Sequence, residues 1–364
     1  MSTGASVVFL LVIGTRLFLP LAIPRWPLPA LIACLIVDGI DQSVFQWFGY
    51  DPPGYQSYDK AMDVWYLAIA YLATLRNWQS LPAYRVGQFL YFYRLVGVMI
   101  FELTHVRALL LVFANTFEYF FIAYEAWRTR WSPLRLLMKG WVLTAAAIWI
   151  FIKLPQEYWI HVAQLDLTDE LKANWWLGPL IVVGILALLA VFWFVVKPRL
   201  PAPDWGWRFR ADPLPEEMDT AAEQAAWRAD NSRVRSAATF EKVVLTGLIT
   251  VIFSQTLPGV KASNLELFIG VTFVVVANSA IWLAVQRRGR SIESMTLGFI
   301  VRTLINIGIV IVAEILLGPG PDVNGGATLF YLMMISVLTL MHDRWSPVLG
   351  WRQVEASRAA AAAD

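Results

Sequence analysis

The residues best suited to chemistry in this sequence are four aspartates in the stretch VDGIDQSVFQWFGYDPPGYQSYDKAMD. Asp38 and Asp41 stand three apart, Asp59 and Asp63 four apart, so each pair falls on one face of a helix. A short connection through Pro52, Pro53 and Gly54 lets the two faces meet. Four converging carboxylates repel one another. Such a group binds protons or takes a hard divalent cation, Mg²⁺, Mn²⁺ or Ca²⁺, for which oxygen is the natural ligand. Asp38, Asp41, Asp59 and Asp63 are therefore the candidate catalytic and metal-binding residues, with Gln42, Gln46 and Gln56 as neutral polar partners and Gln42 the one assigned to substrate. The competing expectation is a solvated loop at Asp51 and Asp59, with Asp63 a charge favoured by the N-terminal end of its helix.

A second set of costly charges lies in the flanking apolar runs. Counting about 1.5 Å per residue places Arg16, Asp38, Arg94 and Glu118 in one layer near the middle of a membrane. Two cations and two anions in one layer predict buried ion pairs between helices. They also predict a polar cavity in which Arg16 and Arg94, with Glu118 nearby, line a place for a phosphate or an anionic headgroup.

The elements that position these groups follow from hydropathy. The chain is 58% hydrophobic and 15% charged, with a mean hydropathy of +0.56, more apolar surface than a soluble core of this length buries. The apolar residues form about eleven stretches of membrane-spanning length, near 5–23, 28–48, 60–76, 83–103, 106–126, 138–154, 176–197, 240–257, 264–286, 294–317 and 326–342. Runs such as 181–196 are apolar on every side, which excludes a transmembrane barrel. The fold class is an all-α, polytopic membrane helix bundle. Residues 5–23 are expected to be a retained first span, because MSTGAS has no basic segment and no cleavage site of the A-x-A kind.

The polar interval 198–239 divides the chain into a seven-span bundle (1–197) and a four-span bundle (240–342), with 343–364 a frayed tail. The basic loops at 127–139, 198–239 and 286–290 alternate in a way that makes them cytoplasmic, with the N-terminus outside and the C-terminus inside. On that orientation the aspartates face outward. Many of the 18 tryptophans fall near span ends, where indole anchors at the headgroups. A bacterial plasma membrane is the expected location and membrane lipids the expected partners. A net charge of +2 makes no case for nucleic acid.

Other signals are weaker. One cysteine, Cys34, leaves no intramolecular disulfide or cysteine metal site. The segment around Glu157, His161, Gln164 and Thr168 has the spacing of an interfacial amphipathic helix, with an N-cap at Thr168 before Asp169 and Glu170. His105 and His342 sit at span ends as interface residues. Arg302, Asn306 and Glu314 share one helix face, where Asn278 and Ser279 can reach them from the preceding span. Walker, dinucleotide, nucleophile-elbow and HExxH motifs are absent, which argues against ATP-driven transport by this chain alone.

The spacing Asp38-x2-Asp41-x17-Asp59-x3-Asp63, with one pair closing a span and the other opening the next, is similar to the aspartate quartet of the CDP-alcohol phosphotransferase family. The resemblance implies two divalent cations on the quartet, activating an alcohol for attack on a CDP-linked lipid. It covers some 26 residues. Gln42 stands where the family has Gly, Phe45 and Gln46 where it has Ala-Arg, and Tyr55 where it has a second Gly, so the nucleotide-binding portion is missing. The family site also faces the cytoplasm, opposite to the orientation read here.

The functional expectation is an enzyme or carrier for a lipid-linked or anionic substrate at an acidic, outward-facing site. Three alternatives stand beside it: a secondary transporter using the same carboxylates for H⁺ or Na⁺, a non-catalytic scaffold subunit, and a divergent phosphotransferase of the family just named.

Overall fold

The computed structural model describes residues 3–48, 55–163, 170–171, 173–257, 260–318 and 323–363. The described residues are helical, with no strand among them and one isolated bridge between Val260 and Val323. Nine described helices are long and apolar enough to cross a membrane, the architecture of a multi-pass membrane protein. The two remaining expected spans are helices of another kind. Helix α1 (Thr3–Phe18) is short and gives way to a 3₁₀ turn (Leu19–Ala22), where Pro20 removes a backbone donor. Helix α3 (Tyr55–Asn77) carries Asp59, Lys60, Asp63 and Arg76 and has much lower hydropathy than its neighbours.

Position explains how α3 tolerates those charges. It runs through the middle of the bundle between α1, α2 (Pro27–Trp47), α4 (Leu81–Thr104) and two helices from the last third of the chain, so nearly every residue from Ala61 to Leu75 is buried. Its polar side chains meet protein instead of lipid.

Helix boundaries follow local chemistry. Ser80 caps α4 by accepting from the Ala83 amide at 3.4 Å, and His105 ends it in the left-handed conformation (φ 55°). The expected span 106–126 is broken into α5 (Ala108–Val112) and α6 (Thr116–Arg128). The break lies against α4 at Gly97, where a Cβ would overlap the Cβ of Phe113, so only glycine permits the approach. Helix α7 (Met138–Ile148) extends past the expected end at residue 154, through π turns at Trp149–Lys153 and Tyr158–Val162. Residues 155–162 therefore prolong a bundle helix and Glu157 is buried, in place of the expected interfacial helix. Asp51 and the Pro52-Pro53-Gly54 connection, the side chains of Gln56 and His161, and Gln164, Thr168 and Asp169 lie outside the described residues.

Helix α8 (Leu177–Val191) is the opposite of α3: the span it belongs to has no buried residue and the highest hydropathy of the candidate spans. Its apolar side chains are uncovered by the rest of the chain on every side, as suits a helix surrounded by hydrocarbon. Linker residues 200–215 are irregular and lie along other loops. Asp204 N donates to Arg130 O at 3.0 Å, Arg208 N to Thr129 O at 3.1 Å and Ala211 N to Arg25 O at 2.9 Å. The basic loops thus gather on one end of the bundle. Helix α9 (Ala221–Asn231) starts with a capping box between Thr220 and Glu223; the hydrogen bonds from Thr220, its backbone amide first, hold the Glu223 carboxyl below the usual glutamate range.

The last helices are α10 (Ala237–Ser254), α11 (Asn264–Arg287), α12 (Met295–Leu317) and α13 (Gly325–Ala363). Residues 343–363, expected as a tail, continue α13 as helix through Pro347. Alanine-rich composition favours that state, and the Trp227 ring against Gly350 and a 3.0 Å bond from Arg352 to Trp78 O tie it down. One apolar core takes residues from both sides of the linker, among them Leu31, Ala68, Phe117, Ile249 and Leu338.

Candidate functional site

The four aspartates meet, and what joins them is Arg16. Its guanidinium reaches Asp41 at 2.5 Å and Asp59 and Asp63 at 3.2 Å, and it also bonds Asp38. The geometry comes from three helices. Asp38 and Asp41 share a face in the last three turns of α2, Asp59 and Asp63 a face in the first three turns of α3, and Arg16 closes the group from the C-terminal turn of α1. Counting from Tyr55, Asp63 lies about 12 Å inside the start of α3. The Arg16 guanidinium stands over the Tyr58 ring at 5.6 Å. Lys60, which the sequence did not single out, pairs with Asp59 at 3.0 Å and Asp63 at 3.9 Å.

The group is lopsided in charge and in access. Four carboxylates against Arg16 and Lys60 leave a formal excess of two negative charges. The Arg16 and Asp41 side chains are 3% and 0% exposed, whereas those of Asp38, Asp59 and Asp63 are 25%, 20% and 13% exposed. One oxygen from each of these three more open residues lies within 4.8 Å of the other two, a separation that a hard cation bound to oxygen can bridge. Asp38, Asp59 and Asp63 are thus the residues able to hold a metal, with Asp41 committed to Arg16.

Of the two expectations for Arg16, buried ion pairs between helices and the lining of an anion cavity, its contacts are those of the first. Arg94 is buried and donates to Phe113 O at 2.9 Å, the carbonyl freed by the break between α5 and α6. Glu118 belongs to an adjoining network. It accepts from Tyr66 and, at 3.0 Å, from Asn115, and it faces Lys153 at 3.8 Å. Lys153 also bonds Gln156 at 3.1 Å and lies 3.9 Å from Glu157. Tyr66 sits three residues from Asp63 on α3 and so links the two networks. Gln42 lies on the exposed side of α2, away from both.

An apolar groove of about 620 Å³ lies between the end of α1, α3, α12 and α13, and none of the four aspartates lines it. Leu17 and Trp65 line it. Leu17 follows Arg16 directly, Trp65 is two residues past Asp63, and the Trp65 indole donates to Leu17 O at 2.9 Å. Along α13 the groove reaches from Phe330 to Trp345, fifteen residues or about 22 Å. Four methionines, Met295, Met333, Met334 and Met341, give it an adaptable wall.

Buried charge also occurs in the last third of the chain. Asp343, placed by the sequence in a cytoplasmic tail, is buried and paired with Lys242 at 2.7 Å and with Arg228 and Arg302 at 2.9 Å. His342, expected at an interface, is buried and faces Glu241 at 3.4 Å, while Glu241 accepts from Tyr71. The shared face of α12 does meet its neighbours: Asn278 donates to Asn306 at 2.7 Å and Asn306 to Ser336 at 2.9 Å, although Glu314 stays exposed. A lysine at the start of an apolar span and an arginine inside one were the available signals for Lys242 and Arg302. Their common partner lay about a hundred and about forty residues away, beyond any local pattern.

The aspartate spacing shared with the CDP-alcohol phosphotransferases has a guanidinium at its centre in this chain, where the resemblance implies cations. No known protein family, curated protein or solved structure matches the chain.

Proposed function

We propose that this multi-pass membrane protein binds a divalent cation, Mg²⁺ or Mn²⁺, on Asp38, Asp59 and Asp63 and uses it to hold the anionic headgroup of a lipid-linked substrate, whose chain lies in the groove beside Leu17 and Trp65. The observation that carries this reading is a carboxylate group with excess negative charge whose central Arg16 is followed directly by Leu17, a residue that lines an apolar groove about 22 Å long. A cation converts an acidic site into one that accepts a phosphate or carboxylate, because its own charge then dominates the local field. Arg16 holds the carboxylates together and lowers their mutual repulsion. In a reaction, the metal's role would be to polarise a phosphoryl oxygen or a bound hydroxyl. With the basic end of the bundle in the cytoplasm of a bacterial cell, this site faces outward.

The test is a Mn²⁺ titration of the purified full chain in detergent, followed by electron paramagnetic resonance. The expected result is saturable binding that weakens at least ten-fold when Asp59→Asn and Asp63→Asn are combined. A diacyl phosphate lipid bearing a diazirine at mid-chain should label Met333 or Met334. Absence of Mn²⁺ binding up to millimolar concentration would overturn the reading.

A second reading has its own observation. Arg16 reaches all four carboxylates, which is what a closed ion cluster fixing the arrangement of α1, α2 and α3 requires. On that reading the chain is a scaffold, Mn²⁺ does not bind, and paired apolar replacement of Arg16 and the aspartates preserves the fold.

A further inference from the structure

Arg85, Phe89 and Tyr93 recur every four residues and so share one face of α4. Met138, Val142, Ala146 and Trp149 do the same along α7 and into the π turn after it. Both faces line a groove of about 540 Å³, and Thr116, the first residue of α6, lines it as well. Helix α6 runs against both neighbours. Trp78, just before α4, stacks on Tyr124 at 4.1 Å while Tyr93 meets Phe113 at 4.6 Å, and Trp141 meets Tyr124 at 5.2 Å while Lys153 faces Glu118 at 3.8 Å. Helices α4 and α7 are therefore parallel. Arg85 and Met138 stand at one end of the groove, the end of the bundle where the basic loops gather, and Tyr93, Thr116 and Trp149 at the other.

The groove is apolar along its length and charged at one end. Phe89, Val142 and Trp149 are 66%, 48% and 39% exposed, open apolar surface for a ligand to cover. The hydroxyls of Tyr93 and Thr116 are already engaged, donating to Val112 O at 2.9 Å and to Ala114 O at 3.5 Å. Of the charged residues on α4, α6, α7 and the turn through Lys153, Arg94, Glu102, Glu118, Glu125, Arg128 and Lys153 are buried. The exposed ones are Arg85 and Lys139, both positive. Arg85 lines the groove and pairs with no acid among the described residues. The linker acids that reach the adjoining loops are taken up, Asp204 by Arg135 and the Ser132 amide, and Asp212 by Arg128 at 3.3 Å. At about 1.5 Å per residue the groove follows α4 for about 12 Å and α7 for about 16 Å. The hydrocarbon of one leaflet is about 15 Å deep, half of a core about 30 Å thick.

We infer that this groove holds one acyl chain of an anionic phospholipid, with the lipid phosphate at Arg85. The length fits one leaflet, and the open charge at the end fits the headgroup. A guanidinium presents a fork of N–H donors to phosphate oxygens, and basic positions beside membrane helices select anionic lipids. Lys139, next to Met138 in the sequence, adds positive charge at the same end without lining the groove. The small side chain of Ala146 leaves the room that the acyl chain fills. This site is separate from the aspartates and from the groove beside Leu17 and Trp65. Its far end lies at Thr116, where α6 begins after the break that follows α5, so a bound acyl chain braces that break against α4.

Native mass spectrometry of the full chain in detergent, with dioleoyl phosphatidylglycerol and dioleoyl phosphatidylcholine added at equal concentration, tests the site. The expected result is one retained phosphatidylglycerol, favoured at least five-fold over phosphatidylcholine. Arg85→Gln, at an exposed position, should abolish that preference. Ala146→Phe fills the groove and should remove the retained lipid altogether. If Ala146→Phe fails to fold, hydrogen exchange serves as the second measurement: phosphatidylglycerol should slow exchange around Phe113–Glu118 in the parent and leave it unchanged in Arg85→Gln. Equal retention of the two lipids, or an unchanged preference in Arg85→Gln, overturns the inference. So does a dimer that forms without retained lipid and is broken by Ala146→Phe, since a second copy of the chain would then occupy the groove.

Discussion

The Arg16 and Asp343 centres bury charge in opposite proportions. The first sets four carboxylates against two cations near the start of α3 and leaves three of the acids partly open. The second sets one carboxylate against three cations and seals all four groups in the bundle, each no more than 7% exposed. Burying a charge is costly in either case, and each centre offsets the cost with close ion pairs. The difference lies in the remainder. The first centre keeps a negative remainder with partial access to water, and the second a positive remainder packed inside the bundle.

Replacing the central group is the strongest way to break this comparison, and the sealed centre should suffer more. Asp343→Asn leaves Arg228, Lys242 and Arg302 without their counter-charge and should cost about 3–5 kcal/mol. In detergent the melting temperature should fall by about 5 °C. A fall under about 2 °C would mean that water reaches those cations and that the centre is not sealed. Arg16→Gln should cost less, about 2–3 kcal/mol, because three of its partners have some access to water. Mn²⁺ should recover much of that loss while stabilising the parent less, as measured by melting with and without the ion. Equal effects on both proteins would count against a cation taking over the role of Arg16.

Two smaller effects sharpen the comparison by leaving one centre alone. Gly97→Ala drives a methyl into Phe113 and should cost about 1–3 kcal/mol, with the α5–α6 break and the Arg94 contact disturbed first. Hydrogen exchange should rise around Phe113–Glu118 and stay unchanged around Asp343. Thr220→Ala removes the cap of α9 and should cost about 1 kcal/mol. Hydrogen exchange should rise along Ala221–Asn231, whereas Mn²⁺ affinity should not change.

Much of this was legible in the sequence for reasons of solvent and period. Uniformly apolar runs of spanning length can exist only as helices in a bilayer, so nine of the eleven expected spans, all among the described residues, needed nothing but hydropathy. The α3 segment was legible through its flanking spans and its two aspartates at i and i+4. The pairing of Asp38 and Asp41 with Asp59 and Asp63 followed from a connection too short to let the two helices separate.

What the sequence could not decide is where each charge finds its partner. Arg16 was recognisable as a costly residue, but whether it faced an anion or the aspartates depended on how α1 rotates against α2 and α3. Asp343 read as the start of a tail because its partners, Arg228, Lys242 and Arg302, lie on α9, α10 and α12, 41 to 115 residues away. Helical period fixes which residues share a face, and hydropathy fixes which segments enter the membrane. Only the packing of one helix on another decides which faces meet, and in this protein that choice separates an acidic opening from a sealed basic centre.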